Sequence, residues 1–93
     1  MSEPPPLQSL LTLTNKLGLH ARAAAVFVKA LNSLDAQVTV SWDGRTVNGR
    51  SVLELMTLGA PQGSALEVQV RGADAEAALA ALTTVVENRF YEE

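Results

Sequence analysis

The chain has 93 residues, 47% of them hydrophobic, and a formal charge of -3 from 7 basic and 10 acidic side chains. That suffices for one core and one domain but not for a deep multi-part cleft, and the acidic balance leaves no positive field for nucleic acid. With no cysteine and a single histidine, disulfides and thiolate chemistry are excluded and a zinc centre is disfavoured, so no metal or cofactor is expected.

The opening Met1-Ser2-Glu3-Pro4-Pro5-Pro6 has neither the basic nor the apolar region of a signal peptide. Residues 1–6 are expected to form a stiff, solvated leader, and residues 7–93 a single domain. No run approaches the ~18 consecutive apolar residues of a membrane span, so a cytoplasmic protein is expected; a monomer is expected as well.

Leu11 and Leu13 alternate with Thr12 and Thr14, which predicts a first strand with one buried face. Asn15-Lys16-Leu17-Gly18 breaks that pattern. Ala24, Phe27, Val28 and Leu31 then follow the i, i+3, i+4, i+7 stripe of an amphipathic helix, which should begin at about His20 or Ala21. Ala36, Val38, Val40 and Trp42 alternate with polar residues as a second strand. Asp43-Gly44 supplies the positive φ of a two-residue hairpin turn, and Arg45 to Asn48 form the return strand.

Ser51-Val52-Leu53-Glu54 has the form of a capping box opening a short helix, with Gly59 placed to end it. Val52, Leu53, Leu55 and Met56 cannot all face inward from that helix. Pro61-Gln62-Gly63 is a turn, and Leu66, Val68 and Val70 mark a fourth strand. Asp74 and Glu76 put negative charge at the start of a last helix, where the macrodipole favours it. Its expected buried stripe is Ala75, Leu79, Leu82 and Val86. The order βαββαβα predicts an α+β open-faced sandwich.

The chemistry concentrates in Gly18-Leu19-His20-Ala21-Arg22. His20 falls at the mouth of a helix, where the free amides of Ala21 and Arg22 form an anion site. Arg22 adds a guanidinium that holds phosphate oxygens in fixed geometry, and an imidazole is a nucleophile able to accept and release a group. A histidine at a helix start also serves as a cap or a surface residue, so these residues alone indicate a phosphate site and no more.

Gly18-Leu19-His20-Ala21-Arg22-Ala23-Ala24 closely resembles the Gly-(Leu/Ile)-His-x-Arg-Pro-Ala motif of the HPr family, the histidine phosphocarriers of the bacterial sugar phosphotransferase system. Arg50-Ser51 with Met56-Thr57-Leu58-Gly59 resembles that family's second signature, and the resemblance extends over roughly Leu7 to Asn88. It implies a four-stranded antiparallel sheet covered by three helices. It further implies that His20 accepts a phosphoryl group on Nδ1 from phosphorylated Enzyme I and passes it to an enzyme IIA domain. In that scheme the protein is a carrier, not an enzyme, with Ala21 and Arg22 binding the phosphate oxygens. The resemblance also implies Ser51 as a regulatory acceptor for HPr kinase/phosphorylase, and Leu53 and Met56 as partner-docking residues.

Two residues depart from the family pattern. Ala23 stands where proline is usual, and Leu17 where relatives carry a small polar residue. These departures leave open a second reading, a regulatory protein that acts by binding and is uncoupled from sugar transport. An RNA-binding module is disfavoured by the acidic charge and the 4% aromatic content, since base stacking needs exposed rings.

Overall fold

Valine and leucine at every second position decide the two central strands, because one face of each must leave water. The computed structural model describes residues 5–92, so residues 1–4 of the expected leader, and residue 93, lie outside the described residues. In chain order the elements are β1 (Leu7–Thr12), α1 (Ala21–Lys29), β2 (Gln37–Trp42), β3 (Arg45–Asn48), α2 (Val52–Thr57), β4 (Ala65–Arg71) and α3 (Ala75–Glu87). The strands form one antiparallel sheet in the order β1-β4-β2-β3. This is the expected open-faced sandwich, with the helices on one face of the sheet.

Register follows from the apolar alternation. Leu11 lies opposite Leu66, Val40 opposite both Val68 and Val47, and Val38 opposite Val70, and all of these side chains are buried. A one-residue slip would send the whole set to solvent. Asp43 and Gly44 both have positive φ, 52° and 77°, as a hairpin turn matched to the sheet's twist requires. Strand β1 starts earlier than its alternation suggests, at Leu7, because pairing with β4 rather than side-chain burial sets its beginning. Leu10 points to the open face and is exposed.

Helix α1 buries Ala23, Ala24 and Phe27, and the chain continues into buried Leu31. The buried stripe of α3 is Ala78, Leu82, Val85 and Val86, so the expected face is rotated. Ala75 and Leu79 sit at its half-buried margin. The helix is alanine-rich, and alanine satisfies an inward or an outward position almost equally. Its phase is therefore set by Leu82 and Val86, both members of the expected stripe, together with Val85.

Two polar ties fix the helices on the sheet. The Arg50 guanidinium donates to the carbonyls of Leu31, Leu34 and Ala36 at 3.2, 3.3 and 3.1 Å, placing a cation at the carbonyl-rich end of α1. Asp35 N donates to Asp74 Oδ2 at 2.6 Å, and Asp74 N donates back to Asp35 O at 2.9 Å. The Asp74 carboxylate therefore serves this clamp, and no side-chain cap bond forms at α3.

Beyond α3 the chain makes one tight turn over Arg89–Tyr91, closed by i+3 bonds from Tyr91 N to Asn88 O and from Glu92 N to Arg89 O. Arg89, Phe90 and Tyr91 all have left-handed backbone, with φ of 53°, 56° and 60°. Such conformations cost about 1–2 kcal/mol per non-glycine residue. Burial of the Phe90 ring in the core offsets much of that. The turn directs Glu92 back across the start of α1.

Candidate functional site

Residues 15–18 are held by their own hydrogen bonds. Gly18 N donates to Asn15 O at 3.2 Å, and the Asn15 side-chain Nδ2 donates to Gly18 O at 2.7 Å. Gly18 has φ of +65°, and its Cα lies so close to the chain at Ala60 and Pro61 that a Cβ would come within 2.3 Å of Ala60 O. Glycine is required there on both counts. Leu19 is buried and its N–H donates to Ala60 O at 2.9 Å. The chain is therefore fixed on both sides immediately before the helix.

These restraints put His20 at the N-cap of α1 with extended backbone, φ -82° and ψ -178°. The first intrahelical bond runs from Ala24 N to His20 O at 2.8 Å. The amides of Ala21, Arg22 and Ala23 thus precede the helical ladder, and they have no acceptor among the described residues. Alanine in place of the family's proline gives this cluster a third donor, while the Ala23 methyl is fully buried. Arg22 is exposed on the same first turn, and its guanidinium makes no hydrogen bond among the described residues. Charge and donors for a tetrahedral oxyanion therefore lie on the helical turn that His20 caps.

A shallow groove of about 370 Å³ opens beside the imidazole, lined in part by Leu17, His20, Ala21, Met56 and Pro61. Leu17 and Met56 are exposed at its rim, so the structure brings Met56 to the histidine. Leu53 is also exposed, at 73%, but it does not line the groove. A larger cleft, about 670 Å³, lies elsewhere, between the start of β1 and the start of α3. It is lined by Arg71, Asp74 and Glu76 together with apolar residues such as Leu7 and Val70, and among the described residues no imidazole or hydroxyl lines it.

Ser51 is the N-cap of α2, and its Oγ accepts from Glu54 N at 3.1 Å. The reciprocal half of the capping box does not form. Glu54 Oε1 accepts instead from Asn48 N, at 3.0 Å, and Ser51 N donates to Asn48 O. Glu54 thereby ties α2 to the end of β3.

Two members of the site escape the sequence pattern. Glu92 Oε2 lies 2.5 Å from His20 Nε2, with the histidine side chain 27% exposed and the glutamate 12%. Its other oxygen, Oε1, accepts from Asn15 Nδ2 at 3.1 Å. Asn15 is buried, and its Oδ1 has no partner among the described residues. An orphaned buried amide oxygen costs about 1–3 kcal/mol. The only sequence signal for Glu92 is Phe90, an apolar residue outside the α3 stripe that has to find a place in the core.

Comparison with known proteins shows the family and the fold. Residues 7–88 match the family model described as PTS HPr component phosphorylation site. The chain is 44% identical over 87 residues to the phosphocarrier protein HPr of Xylella fastidiosa strain Temecula1, spanning 94% of this chain and 98% of the relative. Among solved structures it is similar to HPr-C-His from Thermoanaerobacter tengcongensis, with a TM-score of 0.87 and 37% identity over 94% of this chain and 98% of that one. It is also similar to the phosphocarrier protein HPr of Bacillus anthracis, with a TM-score of 0.81 and 38% identity over 87% and 96% of the two chains.

Proposed function

The chain belongs to the HPr phosphocarrier family of the phosphotransferase system, and from that membership we propose that His20 is the residue that carries the phosphoryl group. The observation that carries this reading is an imidazole at the N-cap of α1, beside three first-turn amides without an acceptor among the described residues. Phosphorylated Enzyme I supplies the phosphoryl group. An enzyme IIA domain receives it, in the service of sugar uptake. The protein acts as a monomer, is a substrate at both steps, and turns nothing over alone.

In each transfer a ring nitrogen forms a bond to phosphorus as the donor's P–N bond breaks. Positioning and electrostatics supply most of the acceleration in such reactions. The Ala21 and Arg22 amides bind the phosphoryl oxygens, joined here by the amide of Ala23, and the Arg22 guanidinium balances their charge. Met56 and Leu53 form the apolar part of the docking surface, with exposed Leu17 extending it at the rim of the groove beside the histidine.

The test is incubation with phosphoenolpyruvate, magnesium and Enzyme I, followed by a chase with an enzyme IIA domain. A stoichiometric, acid-labile phosphate that disappears from this protein and appears on the IIA domain is the expected result. A chain that takes no label overturns the carrier reading and leaves a protein that acts by binding.

Ser51 is the regulatory acceptor on the same reading, a half-buried residue whose hydroxyl is engaged, among the described residues, by the Glu54 amide alone. HPr kinase/phosphorylase with ATP is expected to place an acid-stable ester on the chain, and Ser51→Ala to remove it. The same substitution is expected to cost about 0.5–2 kcal/mol in thermal unfolding through loss of the cap. Undiminished ester on Ser51→Ala would assign regulation to another hydroxyl, and unchanged stability would deny the cap any energetic role.

A further inference from the structure

We propose that Glu92 is a positioning residue for phosphoryl transfer: its carboxylate holds the His20 ring with the proton on Nε2 and so keeps the lone pair on Nδ1. The inference rests on the phosphocarrier reading for its purpose, but its geometric part stands independently.

An ionised carboxylate only accepts hydrogen bonds, so Glu92 Oε2, at 2.5 Å from Nε2, requires a proton on that nitrogen. In a neutral imidazole the other nitrogen then carries the lone pair. The carboxylate is itself oriented. Asn15 Nδ2 donates to Glu92 Oε1 and to Gly18 O, and because both partners are acceptors, nitrogen and not oxygen of that amide must face them. The backbone supports the same arrangement. Three successive left-handed residues, Arg89, Phe90 and Tyr91, are needed to turn the chain back toward His20, and the buried Phe90 ring holds them there. Sparsely populated conformations persist where their surroundings over-determine them, and they cluster at functional sites.

The chemical consequence is a transfer that requires no proton movement. Nδ1 has no proton to lose when its lone pair forms the P–N bond, and the pair of the breaking bond returns to the nitrogen of the phosphohistidine donor. The ring then carries a positive charge, shared with Nε2–H, which faces the Glu92 carboxylate. On onward transfer the P–Nδ1 electron pair returns to Nδ1, and the neutral Nε2–H ring is regenerated. Glu92 stays ionised throughout and touches neither phosphorus nor Nδ1.

The experiment compares wild type, Glu92→Gln and Glu92→Ala, each first checked for an unchanged thermal melt. Nitrogen-15 shifts of the His20 ring, recorded without Enzyme I at a pH where the imidazole is neutral, distinguish a protonated nitrogen from one bearing a lone pair. Wild type is expected to show Nε2 protonated and Nδ1 not, and Glu92→Ala to shift both nitrogens toward a mixed population. Initial phosphorylation by Enzyme I is expected to fall roughly tenfold in Glu92→Ala, the low end of the loss seen when the group orienting a metal-ligating histidine is removed. Glu92→Gln keeps a carbonyl acceptor without the charge and is expected to recover tautomer more than rate. Identical ring shifts in wild type and Glu92→Ala, or a wild type protonated on Nδ1, would overturn the proposal. Glu92-dependent shifts in a protein that Enzyme I cannot label would instead uphold the positioning and overturn the phosphocarrier reading.

Discussion

Replacing His20 with alanine is expected to abolish acid-labile phosphorylation by Enzyme I, while Arg22→Ala slows it by roughly 10²–10³-fold, the usual effect of removing a group that stabilises developing charge. Both variants should fold. The His20 ring contributes no cap bond, and Arg22 is exposed with no hydrogen bond among the described residues. Arg22→Lys is expected to recover only part of the rate, because an ammonium is a point charge without the planar donor fork. The measurement is the initial rate of labelling at fixed Enzyme I. Undiminished labelling of His20→Ala would remove the histidine from the reaction, and equal rates for the arginine, alanine and lysine proteins would remove Arg22.

Gly18→Ala is expected to be among the most damaging single-methyl additions in the molecule. The new methyl would enter a left-handed residue, at a cost of about 1–2 kcal/mol, and would meet Ala60 O and the Pro61 backbone at 2.3–2.9 Å. Neither obstacle is the end of a flexible side chain, so the backbone itself has to move. Overpacking of that kind adds about 1–3 kcal/mol, and the loss should register as a lower denaturant midpoint with an unchanged slope. Movement there also disturbs the Leu19–Ala60 and Asn15–Gly18 hydrogen bonds that precede His20, so labelling should slow even at temperatures where the variant is folded. A variant with wild-type stability would mean that the Ala60–Pro61 segment yields easily, and the loop could not then be credited with fixing the histidine.

The sequence pattern carried most of this fold because its strongest signals are local. Val38, Val40, Leu66, Val68 and Val70 alternate without ambiguity, Asp43-Gly44 specifies its turn, and the stretch from Gly18 to Arg22 places a histidine at a helix start whatever surrounds it. The weaker points have physical causes. The first residues of β1 read poorly because Gln8 and Ser9 are polar and Leu10 faces solvent, so only pairing with β4 marks them as strand. The phase of α3 was blurred by alanines that fit either side. Spacing pairs Glu54 with Ser51 N, but Asn48 N lies within its reach and donates to it instead. Glu92 is the extreme case. It meets His20 only because a left-handed turn and a buried phenylalanine bring distant parts of the chain together, and no periodicity encodes such a meeting.

The strand order has a consequence for assembly. Strand β4 lies between β1 and β2, although it is the last strand in the chain. The β2–β3 hairpin can close locally through its two-residue turn, but β1 has no neighbour until residues 65–71 have been made and brought back. That closure has to meet the loop entropy of the whole intervening chain before any ladder bond repays it. In the interval β1 is an unpaired strand, with Leu11 and Leu13 not yet covered. Its open N–H and C=O groups fit the corresponding β4 of another copy as well as its own. The central insertion that gives the finished sheet its core thus makes the first strand the element most open to exchange between chains while folding is incomplete.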